Sequence, residues 1–186
     1  MAMKLLPLFC FVLLAGCAQE HHAVTTGETS PAKTAAVPAP PESAAAAVRA
    51  EQIRAGCING RRLICGRVLE VAADGLVVDS GYTDLLRPPL TQSWVVSGTV
   101  PARRDPAVLE LNEPGTPCIG LSFLTDIPKR RKVKKFDYVI LMSYPAGQYV
   151  YTPAPNVRRT IRKFAAGLDT AVKLNLRAEE NKSRAP

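Results

Sequence analysis

The stretch LICGRVLEVAADGLVVD, Leu63 to Asp79, holds two apolar runs, Leu63 to Val71 and Leu76 to Asp79, on either side of Ala73-Asp74-Gly75. An Asp-Gly pair tolerates the positive backbone angles that a tight hairpin turn needs, so the stretch predicts two antiparallel strands. Working outward, further strands are expected at Trp94–Val100, Val108–Leu111, Ile119–Leu124, Asp137–Ser143 and Tyr149–Tyr151. The last two would be joined by a type I turn at Tyr144-Pro145-Ala146-Gly147. Prolines 88, 89, 101, 106, 114, 117, 128, 153 and 155 fall between these runs, where a missing amide breaks no ladder. Val157, Ile161, Phe164, Ala165 and Leu168 recur at helical spacing behind Asn156 as a cap, which predicts one C-terminal amphipathic helix. The expected class is mainly β or α+β: a small OB-like barrel or sandwich of six or seven short strands with one helix.

Upstream of this body, Lys4 precedes an apolar run from Leu5 to Gly16. That is the layout of an export signal, and it is shorter than the roughly 20 residues a spanning helix needs. Leu14-Ala15-Gly16-Cys17 resembles the lipobox of bacterial lipoproteins. The resemblance implies that residues 1–16 are removed, that Cys17 becomes the first residue, and that its thiol carries lipid. Acyl chains of palmitate class would then hold the protein to a membrane, because each buried methylene contributes about 0.8 kcal/mol. Ala18 after the cysteine implies the outer membrane if the cell is Gram-negative. Ordinary secretory cleavage after Ala18 is the alternative. Residues 18–48 are mainly Ala, Pro, Thr, Ser, Glu and His, with no aromatic residue and no large aliphatic other than Val, so residues 17–48 are expected to form a lipidated, unfolded tether. A flexible chain of that length spans roughly 30 Å. The single domain is then residues 49–176, with a polar tail at 177–186.

The chain carries 24 Lys and Arg against 16 acids, a net charge of +8. The excess is local: residues 49–126 hold eight cations and nine acids, whereas residues 127–176 hold eleven and two. Lys129, Arg130, Arg131, Lys132, Lys134 and Lys135 form a run expected in an exposed loop. Arg158, Arg159, Arg162 and Lys163 are expected on the polar side of the predicted helix. Together they are the candidate anion-binding surface, the other reading being a solvated face and loop. For an exported, lipid-anchored protein the fitting partners are the membrane itself, anionic lipid, envelope glycan or an acidic protein, with nucleic acid behind them. Four tyrosines, Tyr138, Tyr144, Tyr149 and Tyr151, lie near this basic half. Tyr138 is expected in the core on one strand face with Phe136, Ile140 and Met142, while Tyr149 and Tyr151 offer either packing or a stacking platform.

Catalytic patterns are sparse. Both histidines, His21 and His22, lie in the tether, so the domain has no histidine for a Ser-His-Asp triad, a Cys-His pair or a histidine-ligated zinc. No cofactor or metal site is expected, and the reading is of a binding or scaffolding protein, not an enzyme. Gly75 to Gly81 resembles the apolar-apolar-Asp-Ser-Gly loop of retroviral-type aspartic proteases, which implies a dimeric protease through Asp79. Tyr82 departs from that family's small residue, and Cys118-Ile119-Gly120 matches its later segment poorly, so a strand-ending turn is the competing reading. Of the cysteines in the body, Cys57, Cys65 and Cys118, at most two can pair. A hairpin turn at Asn59-Gly60 would set Cys57 opposite Arg62 and not Cys65, so burial as small apolar residues is expected. Beyond the lipobox, Leu76 to Tyr82 and Tyr144 to Thr152 are similar to parts of uncharacterised exported bacterial proteins, which implies no activity.

Overall fold

The Asp-Gly hairpin forms in the computed structural model, which describes residues 41–87, 93–128 and 132–184. Strands β1 (Arg62–Ala72) and β2 (Gly75–Ser80) run antiparallel with Ala72 opposite Gly75, and their register slips between Val68 and Glu70. A 3-10 turn at Thr83–Leu86 and the two-residue β3 (Val95–Val96) follow. A long irregular excursion then leads to β4 (Gly120–Thr125), which returns antiparallel to β2. Strands β5 (Tyr138–Ala154) and β6 (Val157–Ala165) make a second hairpin. Strand β6 lies parallel to β4, and the first half of β5 pairs with β1. Five strands thereby close in the ring order β1-β2-β4-β6-β5-β1, with β3 added beside β5. The class is α+β, as expected: one six-stranded, ring-like sheet with two helices where one was expected.

Alternation along the ring strands sends one set of side chains inward. Ile64, Val68, Leu76, Val78, Leu124, Val139 and Phe164, drawn from all five ring strands, pack with Cys118 into one buried cluster. Each such side chain contributes about 1.5–3 kcal/mol by leaving water. On the opposite face Val77, Phe123 and Ile161 form a second cluster, which Tyr149 covers with its ring stacked on Phe123 at 3.8 Å. The helices α1 (Pro41–Asn59) and α2 (Leu168–Arg184) pack together over the middle of β5, burying Cys57, Ala146, Ala165, Ala171 and Val172. Two ion pairs tie them, Arg49 to Glu179 at 2.6 Å and Arg54 to Asp169 at 2.7 Å. Among the described residues no helix is long and apolar enough to cross a membrane.

Several local expectations fail for identifiable reasons. Residues 157–165 are strand, not helix: Ile161 belongs to the outer cluster and Phe164 to the inner one, so burial on both faces gives a strand apolar spacing that imitates a helix. The Tyr144-Pro145-Ala146-Gly147 segment is no turn but a bulge inside continuous β5, where register slips between Pro145 and Gln148 and Gly147 takes φ +98°. The chain reverses instead at Pro155-Asn156, with Asn156 at φ +69°. Residues 108–111 form no strand. Asn59 ends α1 and is no hairpin corner, the Gly60 amide donating to the Gly56 carbonyl at 2.9 Å. Helix α1 begins at Pro41, ahead of the expected end of the tether, and α2 runs to Arg184, into the expected tail.

Candidate anion-binding surface

The expected basic surface divides in two. Lys132, Lys134 and Lys135 are exposed just before β5, whereas Arg158 and Arg159 are exposed at the start of β6, beyond the far end of β5. Lys129, Arg130 and Arg131 lie outside the described residues, as does Cys17. None of the five exposed cations forms an ion pair with another described residue. Because they occupy a strand, Arg158 and Arg162 point to one side and Arg159 and Lys163 to the other. They therefore make no helix face.

Arg162 is spoken for. Its guanidinium meets both carboxylate oxygens of Glu110, one contact at 2.9 Å, and donates to the Ile119 carbonyl at 2.7 Å. That pairing is the main reason the Glu110 carboxyl is held below its usual range, although partial burial opposes it. The pair fastens the excursion between β3 and β4 to the ring. Arg62, buried at the start of β1, fastens the same segment by donating to the Glu113 carbonyl at 3.0 Å and to Asn112 Oδ1 at 2.9 Å.

Around the loop lysines the chain builds a more specific arrangement, centred on Phe136. Its backbone has φ +74°, a conformation that costs an aromatic residue about 1–3 kcal/mol. The surroundings hold it there. The Phe136 amide donates to the Val68 carbonyl at 2.8 Å, the Val68 amide donates to the Asp137 carbonyl at 2.8 Å, and the Asp137 amide donates to the Lys134 carbonyl at 3.1 Å. The Asp137 carboxylate accepts the Gly98 amide at 3.1 Å and the Lys134 amide at 2.9 Å. Turned outward by this backbone, the Phe136 ring is 46% exposed, and not in the core with Tyr138 as its sequence spacing predicts. Met142, 39% exposed, departs from that expectation too. Tyr138 itself is buried against Cys65, Leu85 and Val96.

Two cations stand over the Phe136 ring, the Arg67 guanidinium carbon 4.7 Å and Lys135 Nζ 5.1 Å from its centroid. Arg67 Nε is buried and has no hydrogen-bond partner among the described residues. Sequence reasoning passes over Arg67 and places Phe136 in the core. The signals were an arginine inside an apolar strand and an aromatic ring directly after two lysines.

The remaining candidates are quieter. Asp79 stands beside Arg67 in the β1–β2 register, and its carboxylate lies 3.4 Å from Arg104, so its neighbouring charges are cationic. Ser80 is the last residue of β2. The three cysteines of the body are buried and unpaired. Cys65 donates to the Tyr82 carbonyl at 2.8 Å, and burial pushes its thiol up to about 12. Cys57 donates to the Pro145 carbonyl at 3.6 Å, and Cys118 shares a hydrogen bond with Ser122 at 3.4 Å. Burial raises both thiols, against the lowering effect of hydrogen bonds from Asn175 and Ser122. No three His, Cys, Asp or Glu side chains converge among the described residues. No family model, no curated protein and no solved structure matches the chain.

Proposed function

We propose that this is a lipid-anchored protein of the cell envelope, attached through Cys17, whose folded body binds or scaffolds an anionic partner and has no catalytic role. The observation that carries the binding half is the set of exposed cations, Lys132, Lys134, Lys135, Arg158 and Arg159, without ion-pair partners among the described residues. Uncompensated cations on a surface draw counter-ions and anionic partners by long-range attraction. The anchoring half rests on Leu14-Ala15-Gly16-Cys17. Labelled fatty acid fed to cells making the protein should enter the wild type and be absent from Cys17→Ala, which should leave the membrane fraction. An unlabelled wild type ends the anchor reading.

A second reading, a glycan- or nucleic-acid-binding OB-like module, is favoured by the outer face of β4, β6 and β5. There Tyr149 and Tyr151 lie in one cluster with Phe123, Tyr151 sits opposite Arg159, and Lys163 Nζ stands 5.8 Å from the Phe123 centroid. Rings interleaved with cations suit stacked sugars or bases. Tyr151→Ala with Arg159→Gln should weaken binding to a single strand or acidic oligosaccharide if that reading holds. Unchanged affinity removes it.

A further inference from the structure

We propose that Phe136, the Arg67 and Lys135 cations over its ring, and the exposed Lys132 and Lys134 just before it in the chain dock the folded body onto a bilayer surface that carries anionic lipid headgroups. The inference rests on reading the body as an anion binder and names what it binds. The backbone comes first. A left-handed conformation at a bulky residue persists only where its neighbours over-determine it. Here the hydrogen bonds of Val68, Asp137, Lys134 and Gly98 all converge on the turn. What that rigid turn displays is an apolar ring, 46% exposed.

The surroundings of the ring select the partner. Arg67 and Lys135 already stand over its π surface at 4.7 and 5.1 Å, and the ring beside them remains 46% exposed. An exposed apolar ring with two cations against it and two more exposed lysines just before it in the chain matches the headgroup boundary of a bilayer. The ring enters the acyl margin, and the ammonium and guanidinium groups meet phosphates. Lysines near an anionic surface each add attraction, and the effect fades within a Debye length. The only acid within residues 127–163 is Asp137, whose two carboxylate oxygens are turned onto backbone amides. It therefore opposes the lysines less than a free carboxylate would.

The test uses the full chain, purified in detergent and reconstituted into vesicles of phosphatidylcholine alone or with a third of phosphatidylglycerol, with acyl chains brominated as quencher. The wild type, whose sole tryptophan is Trp94, sets the baseline, and Phe136→Trp places an indole at the docking point. The added emission should be quenched on the anionic vesicles at low salt, and should recover in half-molar salt or on phosphatidylcholine alone. Hydrogen exchange at residues 132–137 of the wild type, with and without anionic vesicles, supplies a reading that needs no aromatic substitution. It should slow on anionic vesicles and not do so in Lys134→Gln/Lys135→Gln. An unquenched indole together with unchanged exchange overturns the docking. If the wild type still binds soluble heparin in that case, the anion-binding reading stands and the bilayer is the wrong partner. If heparin binding is also absent, both fall.

Discussion

Asp137 holds Gly98 across the surface of the ring, one carboxylate oxygen accepting the Gly98 amide at 3.1 Å while the other takes the Lys134 amide at 2.9 Å. The contact leaves no room for a side chain at residue 98, because a Cβ there would lie 2.4 Å from the Phe136 carbonyl oxygen. Gly98→Ala must therefore move backbone, and Asp137→Ala strips acceptors from two amides. Each should destabilise the fold by about 1–3 kcal/mol, measured by urea unfolding. Because both act on one turn, their effects should not add.

The Glu110–Arg162 pair predicts an acid-side dependence. Its hydrogen bond from Arg162 depresses the folded carboxyl below the unfolded value, so the pair's contribution is present above the unfolded pKa of about 4.3 and is lost as pH falls through the folded one. Arg162 is 45% exposed, so solvent screening limits the contribution to about 1 kcal/mol or less. Urea melts of Glu110→Gln should show that loss at pH 7 and converge on wild type near pH 3.

Cys65 predicts the opposite limb. Burial holds its thiol near 12 in the fold, above the unfolded value, so the folded state keeps a proton that the unfolded chain gives up. Stability should be unaffected by this group below about pH 8.5 and fall above it, by up to about 1.4 kcal/mol per pH unit until the folded pKa is reached. Cys65→Ala should make that alkaline limb shallower, leaving the part due to the buried Cys57 and Cys118, at the expense of some packing at all pH values. Denaturant midpoints from pH 7 to 11 measure it.

What the sequence makes legible follows from how each signal arises. Asp74-Gly75 lies at a solvent-facing turn, where local backbone preference decides, and the hairpin forms as expected. Ile161 and Phe164 mislead because β6 is covered on both faces, so burial no longer alternates. Pro145 and Gly147 resemble a turn because bulges and turns need the same residues. The alanines at 44–47 resemble a linker by composition, yet alanine is the strongest helix former, and α1 builds through them. The exposed loop lysines are readable from charge alone. Phe136 is not, because its exposure depends on a left-handed backbone fixed by Val68, which is 68 positions away in sequence, and by Gly98. Long-range hydrogen bonds of that kind leave no local trace.

Retention of the full chain, in nonionic detergent, on immobilised heparin under a salt gradient reads the cationic surface itself. The wild type should be held in dilute buffer and released as ionic strength passes about 0.1 M, where the Debye length falls below roughly 10 Å. Lys132→Gln/Lys134→Gln/Lys135→Gln should lose most of that retention while the urea midpoint shifts by no more than about 1 kcal/mol of stability, because the three lysines are exposed, form no ion pair with a described residue, and lose only the contact of Lys135 with the Phe136 ring. Arg158→Gln/Arg159→Gln, at the other end of β5, should lose a smaller share. A triple variant that elutes with the wild type, or a wild type still held at half-molar salt, would show that these lysines are not an electrostatic anion-binding surface.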